Sequence, residues 1–146
     1  MKITKKNMTW GSASNLGTDY WAYIQNSNTG LGLTADSNGN VCGRKLTKAD
    51  NQLWYLERLN DGTYRLHSKS TGKILTLYNS NYFNSGNIDA EPYTDNNNSK
   101  WRVYASGNGY VIHSALGDSG VLDLNNAYTA VEGANAQIYT YNGGVT

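Results

Sequence analysis

Three tryptophans divide the chain into stretches of similar length. Trp10, Trp54 and Trp101 lie 44 and 47 residues apart in a chain of 146 residues. A period of this length over a whole small chain indicates a fold built from copies of one supersecondary unit. We therefore expect a single domain over residues 1–146, with repeats that begin near residues 7, 51 and 98.

The composition indicates that each unit is made of short strands. Twelve tyrosines and four tryptophans supply much of the apolar surface, and 16 glycines stand against one proline. Aromatic residues favour half-buried strands, and turn segments such as 60–62 and 106–109 separate the apolar runs. The prediction is an all-β fold with about four short strands per copy. Three equal copies favour a closed, pseudo-three-fold arrangement with the tryptophans in the core.

Charge and cysteine content exclude several classes of function. Charged residues make up 16% of the chain and the net charge is +1, so no basic surface for nucleic acid is expected. No segment has the apolar length of a membrane span, and no signal peptide is visible. Cys42 is the only cysteine, which rules out an intrachain disulfide and a cysteine metal cluster. We expect no cofactor and no bound metal.

Five sequence segments resemble the ricin-B-type β-trefoil lectins. The family's Q-x-W motif is complete in NQLW at 51–54 and weaker in NSKW at 98–101 and NMTW at 7–10. Its aspartate and Gln-x-Tyr strands are matched by GVLDL at 120–124 and GANAQIYTYNGG at 133–144. The family includes carbohydrate-binding modules attached to bacterial glycoside hydrolases. The resemblance covers the whole chain and implies a β-trefoil lectin.

The resemblance also implies where a sugar binds. In the third repeat, Asp123 would accept hydrogen bonds from sugar hydroxyls, with Gln137 as a second polar contact or as an orienter of Asp123. The ring of Tyr139 would stack on the sugar, and Asn142 would add an amide. Asn7 would complete the pocket if the N-terminal strand closes the fold.

The first two repeats lack this set of residues. They carry Thr34 and Thr76 at the position of the aspartate, and Arg44 and Glu91 at the position of the tyrosine. We therefore expect one shallow, weak, non-catalytic site for galactose-type or xylan-type sugars. The resemblance further implies a secreted or extracellular protein. The domain either belongs to a larger hydrolase or toxin or stands alone.

The strand order departs from the usual one for the family. Family members end on a Q-x-W strand, whereas this chain begins with its weakest version at 7–10. We predict that the segment 7–10 fills the last slot of the third repeat beside the C-terminal strand. The alternative is a third repeat that is cut short.

Other functions remain as alternatives. A protein-interaction trefoil, such as an inhibitor or a receptor-binding toxin module, would use the loop at 78–86 with Tyr82 and Phe83. His67 and His113 share one repeat register, so duplication explains them better than catalysis does. Asp89 and Glu91 lie on one face of a strand, and a glycosidase would need a further element beside them.

Overall fold

The computed structural model describes residues 1–5 and 16–146, and these residues form an all-β fold. Its twelve strands are β1 Lys2–Lys5, β2 Tyr20–Gln25, β3 Gly32–Ala35, β4 Val41–Arg44, β5 Trp54–Arg58, β6 Tyr64–Ser68, β7 Ile74–Leu77, β8 Ile88–Glu91, β9 Trp101–Ser106, β10 Gly109–Ser114, β11 Gly120–Leu124 and β12 Ala134–Thr140. Within the described part of the chain, no helix is long and apolar enough to cross a membrane. The predicted fold class is confirmed.

Six of the strands close into a barrel. Antiparallel pairing runs from β1 to β2, β5, β6, β9 and β10 in turn. The ring closes between β10 and β1, where the Tyr110 amide donates to the Met1 carbonyl over 2.8 Å and the Met1 amine donates to the Tyr110 carbonyl. Because the barrel closes on itself, it leaves no unpaired barrel edge among the described strands.

The other six strands form three hairpins that cover one end of the barrel. They are β3 with β4, β7 with β8, and β11 with β12. The same residue positions pair in each hairpin, since Thr34 lies opposite Cys42, Thr76 opposite Asp89 and Asp123 opposite Gln137. The repeat seen in the sequence is therefore also a repeat of the structure, because equivalent residues pair in all three hairpins.

The tryptophans of the second and third stretches lie in the core, as predicted. Trp54 and Trp101 are fully buried, and their indole N–H groups donate to the carbonyls of Leu33 and Leu75 over 2.9 and 3.0 Å. Each large ring is therefore packed and also has its polar atom satisfied. Trp10 lies outside the described residues.

The first strand of the barrel is Lys2–Lys5, which pairs with β2 and contacts β10. Its position belongs to the barrel, whereas the C-terminal strand β12 belongs to a covering hairpin. The segment 7–10, predicted to lie beside the C-terminal strand, is outside the described residues. Trp101 pairs with Tyr64 and Met1 contacts the equivalent Tyr110, so the buried Met1 takes the tryptophan position.

Three asparagines join the covering hairpins in a closed ring of hydrogen bonds. Asn40 donates to Asn135 over 2.8 Å, Asn135 donates to Asn87 over 2.7 Å, and Asn87 donates back to Asn40 over 3.1 Å. The three occupy equivalent positions, each two residues before the member of its hairpin that faces Thr34, Thr76 or Asp123. We call this set the asparagine ring.

The asparagine ring also accompanies backbone pairing between repeats. Asn40 pairs with Asp89 and Asn87 pairs with Gln137 as isolated bridges, while Asn135 pairs with Cys42 at the junction of β12 and β4. Each asparagine thus contacts the next repeat through both its side chain and its main chain. The ring therefore fixes the three hairpins relative to one another.

Breaking the asparagine ring is expected to destabilise the fold. Asn40→Ala leaves an Asn135 acceptor and an Asn87 donor without partners in a half-buried setting, which costs about 1–3 kcal/mol in free energy of unfolding. Urea denaturation measures this change. The matched control Asn60→Ala, in an exposed turn, is expected to change the free energy by less than about 0.5 kcal/mol. Equal effects of the two substitutions would contradict the role of the ring.

Candidate functional site

The hairpin of β11 and β12 places three of the predicted site residues on one face. Asp123 lies directly opposite Gln137, and Val121 lies opposite Tyr139. Residues two apart on a strand point to the same side of a sheet, so Gln137 and Tyr139 share a face with Asp123. The alternation that folds this hairpin therefore also assembles the group.

Asp123 is held in a defined orientation by its neighbour. The Gln137 amide donates to Asp123 Oδ2 over 2.9 Å, and the Asp123 residue is 8% exposed. Burial raises the pKa of the Asp123 carboxyl, and the hydrogen bond from Gln137 works against that rise because it favours the charged form. Among the described residues, Oδ1 of Asp123 has no hydrogen-bond partner, and because Asp123 lines a surface depression, we treat this oxygen as open to a ligand.

These residues line a surface depression of about 240 Å³. Its lining includes Asp123, Gln137, Tyr139, Asn142, Asn125 and Tyr128. Pockets that enclose drug-sized molecules measure about 300–1,000 Å³, so this depression suits a smaller ligand. We call it the third-repeat pocket.

The pocket combines exposed rings with polar groups. Tyr139 is 41% exposed and Tyr128 is 59% exposed, so both present ring surface to solvent. Asn142 accepts a hydrogen bond from the Gly144 amide over 3.0 Å, which orients its side chain within the turn. Its NH₂ group has no partner among the described residues and remains available as a donor.

The structure brings together four of the five residues that the sequence suggested. Asp123, Gln137, Tyr139 and Asn142 line one pocket, whereas Asn7 lies outside the described residues. Sequence reasoning missed Tyr128 on the pocket rim. A signal was present, because Tyr128 follows the aspartate strand within a short loop, and an exposed aromatic residue in such a loop indicates a contact surface.

In the first repeat, Thr34 takes the position of Asp123, and the polar side chains around it bind other parts of the protein. Gln52 donates to Thr34 Oγ1 over 3.2 Å and accepts hydrogen bonds from the backbone of Thr47 and Lys48. The buried Gln52 side chain thus holds the loop around Thr47 and Lys48 in place. At the position of the tyrosine, Arg44 forms an ion pair with Asp36 at 3.1 Å. Neither an open carboxylate nor a ring remains there.

The second repeat carries a pair of acids at this position. Asp89 and Glu91 lie two residues apart on β8, opposite Thr76 and Ile74. Burial raises the pKa of the Asp89 carboxyl to about 7, and a hydrogen bond to Glu91 together with its charge adds to the rise. The Asp89 carboxyl therefore keeps its proton to a higher pH than an ordinary aspartate does, and it has a second acid beside it, which sets this position apart from Asp123.

The rival functional residues have local partners. His67 contacts Glu57 over 3.2 Å, and His113 contacts the Asp118 carbonyl over 3.1 Å, so each histidine is engaged within its own repeat. The loop at 78–86 does not project freely, because the Tyr82 hydroxyl accepts a hydrogen bond from the Gly120 amide over 2.6 Å. Its most exposed large apolar side chain is Phe83, at 63%.

The acid pair predicts a pH dependence of stability. The folded protein keeps a proton on Asp89 up to about pH 7, whereas the unfolded chain loses it near 3.8. Between these values the folded state binds more protons, so stability falls as pH rises. Asp89→Asn is expected to flatten this slope and to raise the free energy of unfolding at pH 8 on the order of 1 kcal/mol, a figure that allows for solvent screening. Thermal melts from pH 4 to pH 8 measure it.

Asp61→Asn is the matched control for the acid pair. Hydrogen bonds from Thr63 hold the pKa of Asp61 below its usual value, so its loss should change the slope weakly and with the opposite sign. Parallel profiles for wild type and Asp89→Asn would contradict the raised pKa of Asp89.

Comparison with known proteins agrees with the observed fold and repeat pattern. The sequence profile of the family described as "Ricin-type beta-trefoil lectin domain-like" matches residues 6–89. No curated protein matches the chain by sequence.

Solved structures share the fold over most of the chain. The designed three-fold symmetric protein ThreeFoil is 30% identical with a TM-score of 0.79, over 85% of this chain and 91% of its own. A ricin B-like lectin of Macrolepiota procera, in complex with lactose, is 17% identical with a TM-score of 0.74, over 89% and 93%. A mosquitocidal holotoxin is 21% identical with a TM-score of 0.77, over 86% of this chain and 16% of the toxin chain.

The profile match covers more than half of the chain, and the barrel with its three hairpins has the architecture of the matched lectins. The chain therefore belongs to the ricin-type β-trefoil lectin domain-like family.

Proposed function

We propose that the third-repeat pocket binds one pyranose unit of a galactose-type or xylan-type glycan, without catalysis. The observation that supports this proposal is the open Oδ1 of Asp123, oriented by Gln137 next to the exposed ring of Tyr139. A carboxylate oxygen replaces water for two neighbouring sugar hydroxyls, and its charge strengthens those bonds. The ring covers the C–H face of the pyranose, which has no hydrogen bonds to offer.

The choice of sugar class follows from the lectin resemblance and from a structural neighbour. The Macrolepiota procera lectin was solved with lactose, which contains galactose. That likeness concerns the fold, so galactose is proposed for this chain from the lectin resemblance and from the carboxylate and ring of its pocket. A xylose unit also offers two adjacent hydroxyls to a carboxylate and C–H groups to a ring, although its 4-hydroxyl is equatorial where that of galactose is axial. Xylose is therefore proposed as the second candidate.

A single shallow pocket implies weak binding. With one carboxylate and one stacked ring, we expect a dissociation constant on the order of millimolar. Several such domains on one surface would raise the avidity. The holotoxin shows a matching fold as a small part of a longer chain, and we propose that this trefoil is a single domain that serves a larger secreted hydrolase or toxin.

Site variants should remove sugar binding while the fold remains. Asp123→Asn keeps the shape but removes the charge, and we expect affinity for galactose or xylose to fall about tenfold or more. Tyr139→Ala removes the ring and should reduce affinity by a similar factor. Isothermal titration calorimetry with galactose, N-acetylgalactosamine and xylose measures both effects.

Two controls match these variants. Asp118→Asn changes a fully exposed aspartate that pairs with Arg102, and Tyr93→Ala removes an exposed ring that stacks with Arg65 in the second repeat. Both should bind sugar like the wild type. Sugar affinity that survives Asp123→Asn and Tyr139→Ala unchanged would refute the proposed site.

A further inference from the structure

The loop between β7 and β8 crosses from the second repeat onto the third. It spans 78–87, whereas the matching loop of the first repeat spans only 36–40. Its Ser85 amide donates to the Ile138 carbonyl over 2.9 Å, and the Ile138 amide donates to the Gly86 carbonyl over 2.8 Å. The loop is thus attached to the strand that carries Gln137 and Tyr139.

Tyr82 anchors the same loop on the neighbouring strand. Its hydroxyl accepts a hydrogen bond from the Gly120 amide, and its ring lies against Gly117 and Gly120. A Cβ atom at Gly120 would come within 2.7 Å of this ring, so the glycine is what permits the close approach. Both strands of the site hairpin therefore hold the loop.

The attached loop creates a second depression next to the third-repeat pocket. Its volume is about 230 Å³, and its walls include Phe83, Asn84 and Gly120. Tyr139 and Thr140 line both depressions, so the two are contiguous through these residues. We call the second depression the loop pocket.

The loop pocket combines an unprotected ring with an oriented amide. Phe83 is 63% exposed although its loop is anchored. Most of its apolar ring surface is therefore in contact with water and is not packed in the core. Asn84 accepts hydrogen bonds from the Thr140 amide and hydroxyl over 2.8 and 2.9 Å. This fixes the amide, and its NH₂ group has no partner among the described residues.

A ring and a free amide donor are the groups that suit a further pyranose. The ring covers a C–H face and the amide donates to a hydroxyl, as in the third-repeat pocket but without a charge. Because Tyr139 lies between the two pockets, one glycan chain can occupy both.

We propose, on the basis of the sugar-binding function proposed above, that the loop pocket is a second subsite for the adjacent sugar residue of the same glycan. The domain then recognises a glycan of at least two residues, with one residue at Asp123 and the next between Tyr139 and Phe83. Selectivity for oligosaccharides comes from the loop of the second repeat.

Calorimetric titration of the full chain tests this proposal with paired ligands. Galactose is compared with lactose, and xylose is compared with xylotriose. Wild type is expected to bind the longer ligand of at least one pair about three- to tenfold more tightly, which is the range of one added aromatic contact. Phe83→Ala should remove this gain and leave monosaccharide affinity unchanged. Phe83→Trp should retain it.

Tyr93→Ala is the control for loss of an exposed ring, and it should keep both affinities. Equal affinity of wild type for short and long ligands, with monosaccharide binding that still depends on Asp123, would overturn the second subsite and leave the proposed function standing. Absence of any sugar binding would overturn both. A Phe83→Ala variant that changes only the oligomeric state in light scattering would assign the ring to protein contact and overturn the subsite.

Discussion

The asparagine ring is the constraint on which the geometry of the covering hairpins depends. Within the ring, Asn40, Asn87 and Asn135 each donate one hydrogen bond and accept one, so the three bonds form a closed cycle. The backbone of Asn87 also pairs with Gln137, the residue that orients Asp123. A contact between repeats thereby sets the position of the residues that line the third-repeat pocket.

Three similar backbones carry three different sets of side chains on this frame. The first repeat uses its polar residues for loop contacts around Gln52, and the second places two carboxyl groups at Asp89 and Glu91, where burial raises the pKa of Asp89. At the equivalent hairpin position, only the third repeat combines an open carboxylate oxygen with an exposed ring among the described residues. The scaffold is repeated because packing requires it, whereas the chemistry of a site requires only one copy.

The strand register, the core tryptophans and most of the third-repeat pocket could be predicted from the sequence, because they depend on local sequence patterns. The motif NQLW and the spacing of Asp123, Gln137 and Tyr139 fix strand register, and strand register decides which side chains share a face. The core positions of Trp54 and Trp101 follow in the same way. The residues that replace the aspartate and the tyrosine in the other two repeats could be identified from the sequence as well, because all three hairpins keep the same register.

The first barrel strand, the asparagine ring and the attachment of the loop at 78–86 could not be predicted, because they depend on contacts between distant segments. The pairing of Lys2–Lys5 with β2 buries Met1 and Ile3, and no motif in this segment indicated it. The members of the asparagine ring are 47, 48 and 95 residues apart, and nothing in their neighbours sets them apart from other turn asparagines. The attachment of the loop at 78–86 likewise depends on Gly120 in another repeat.

Among the three equivalent hairpin positions, only that of the third repeat is proposed to bind a monosaccharide. Titration of galactose or xylose into isotopically labelled protein, followed by amide chemical shifts, distinguishes the three positions. We expect shifts centred on Asp123, Gln137 and Tyr139, with none at the equivalent Thr34 and Thr76. Comparable shifts in all three repeats, or shifts that avoid the third, would contradict it.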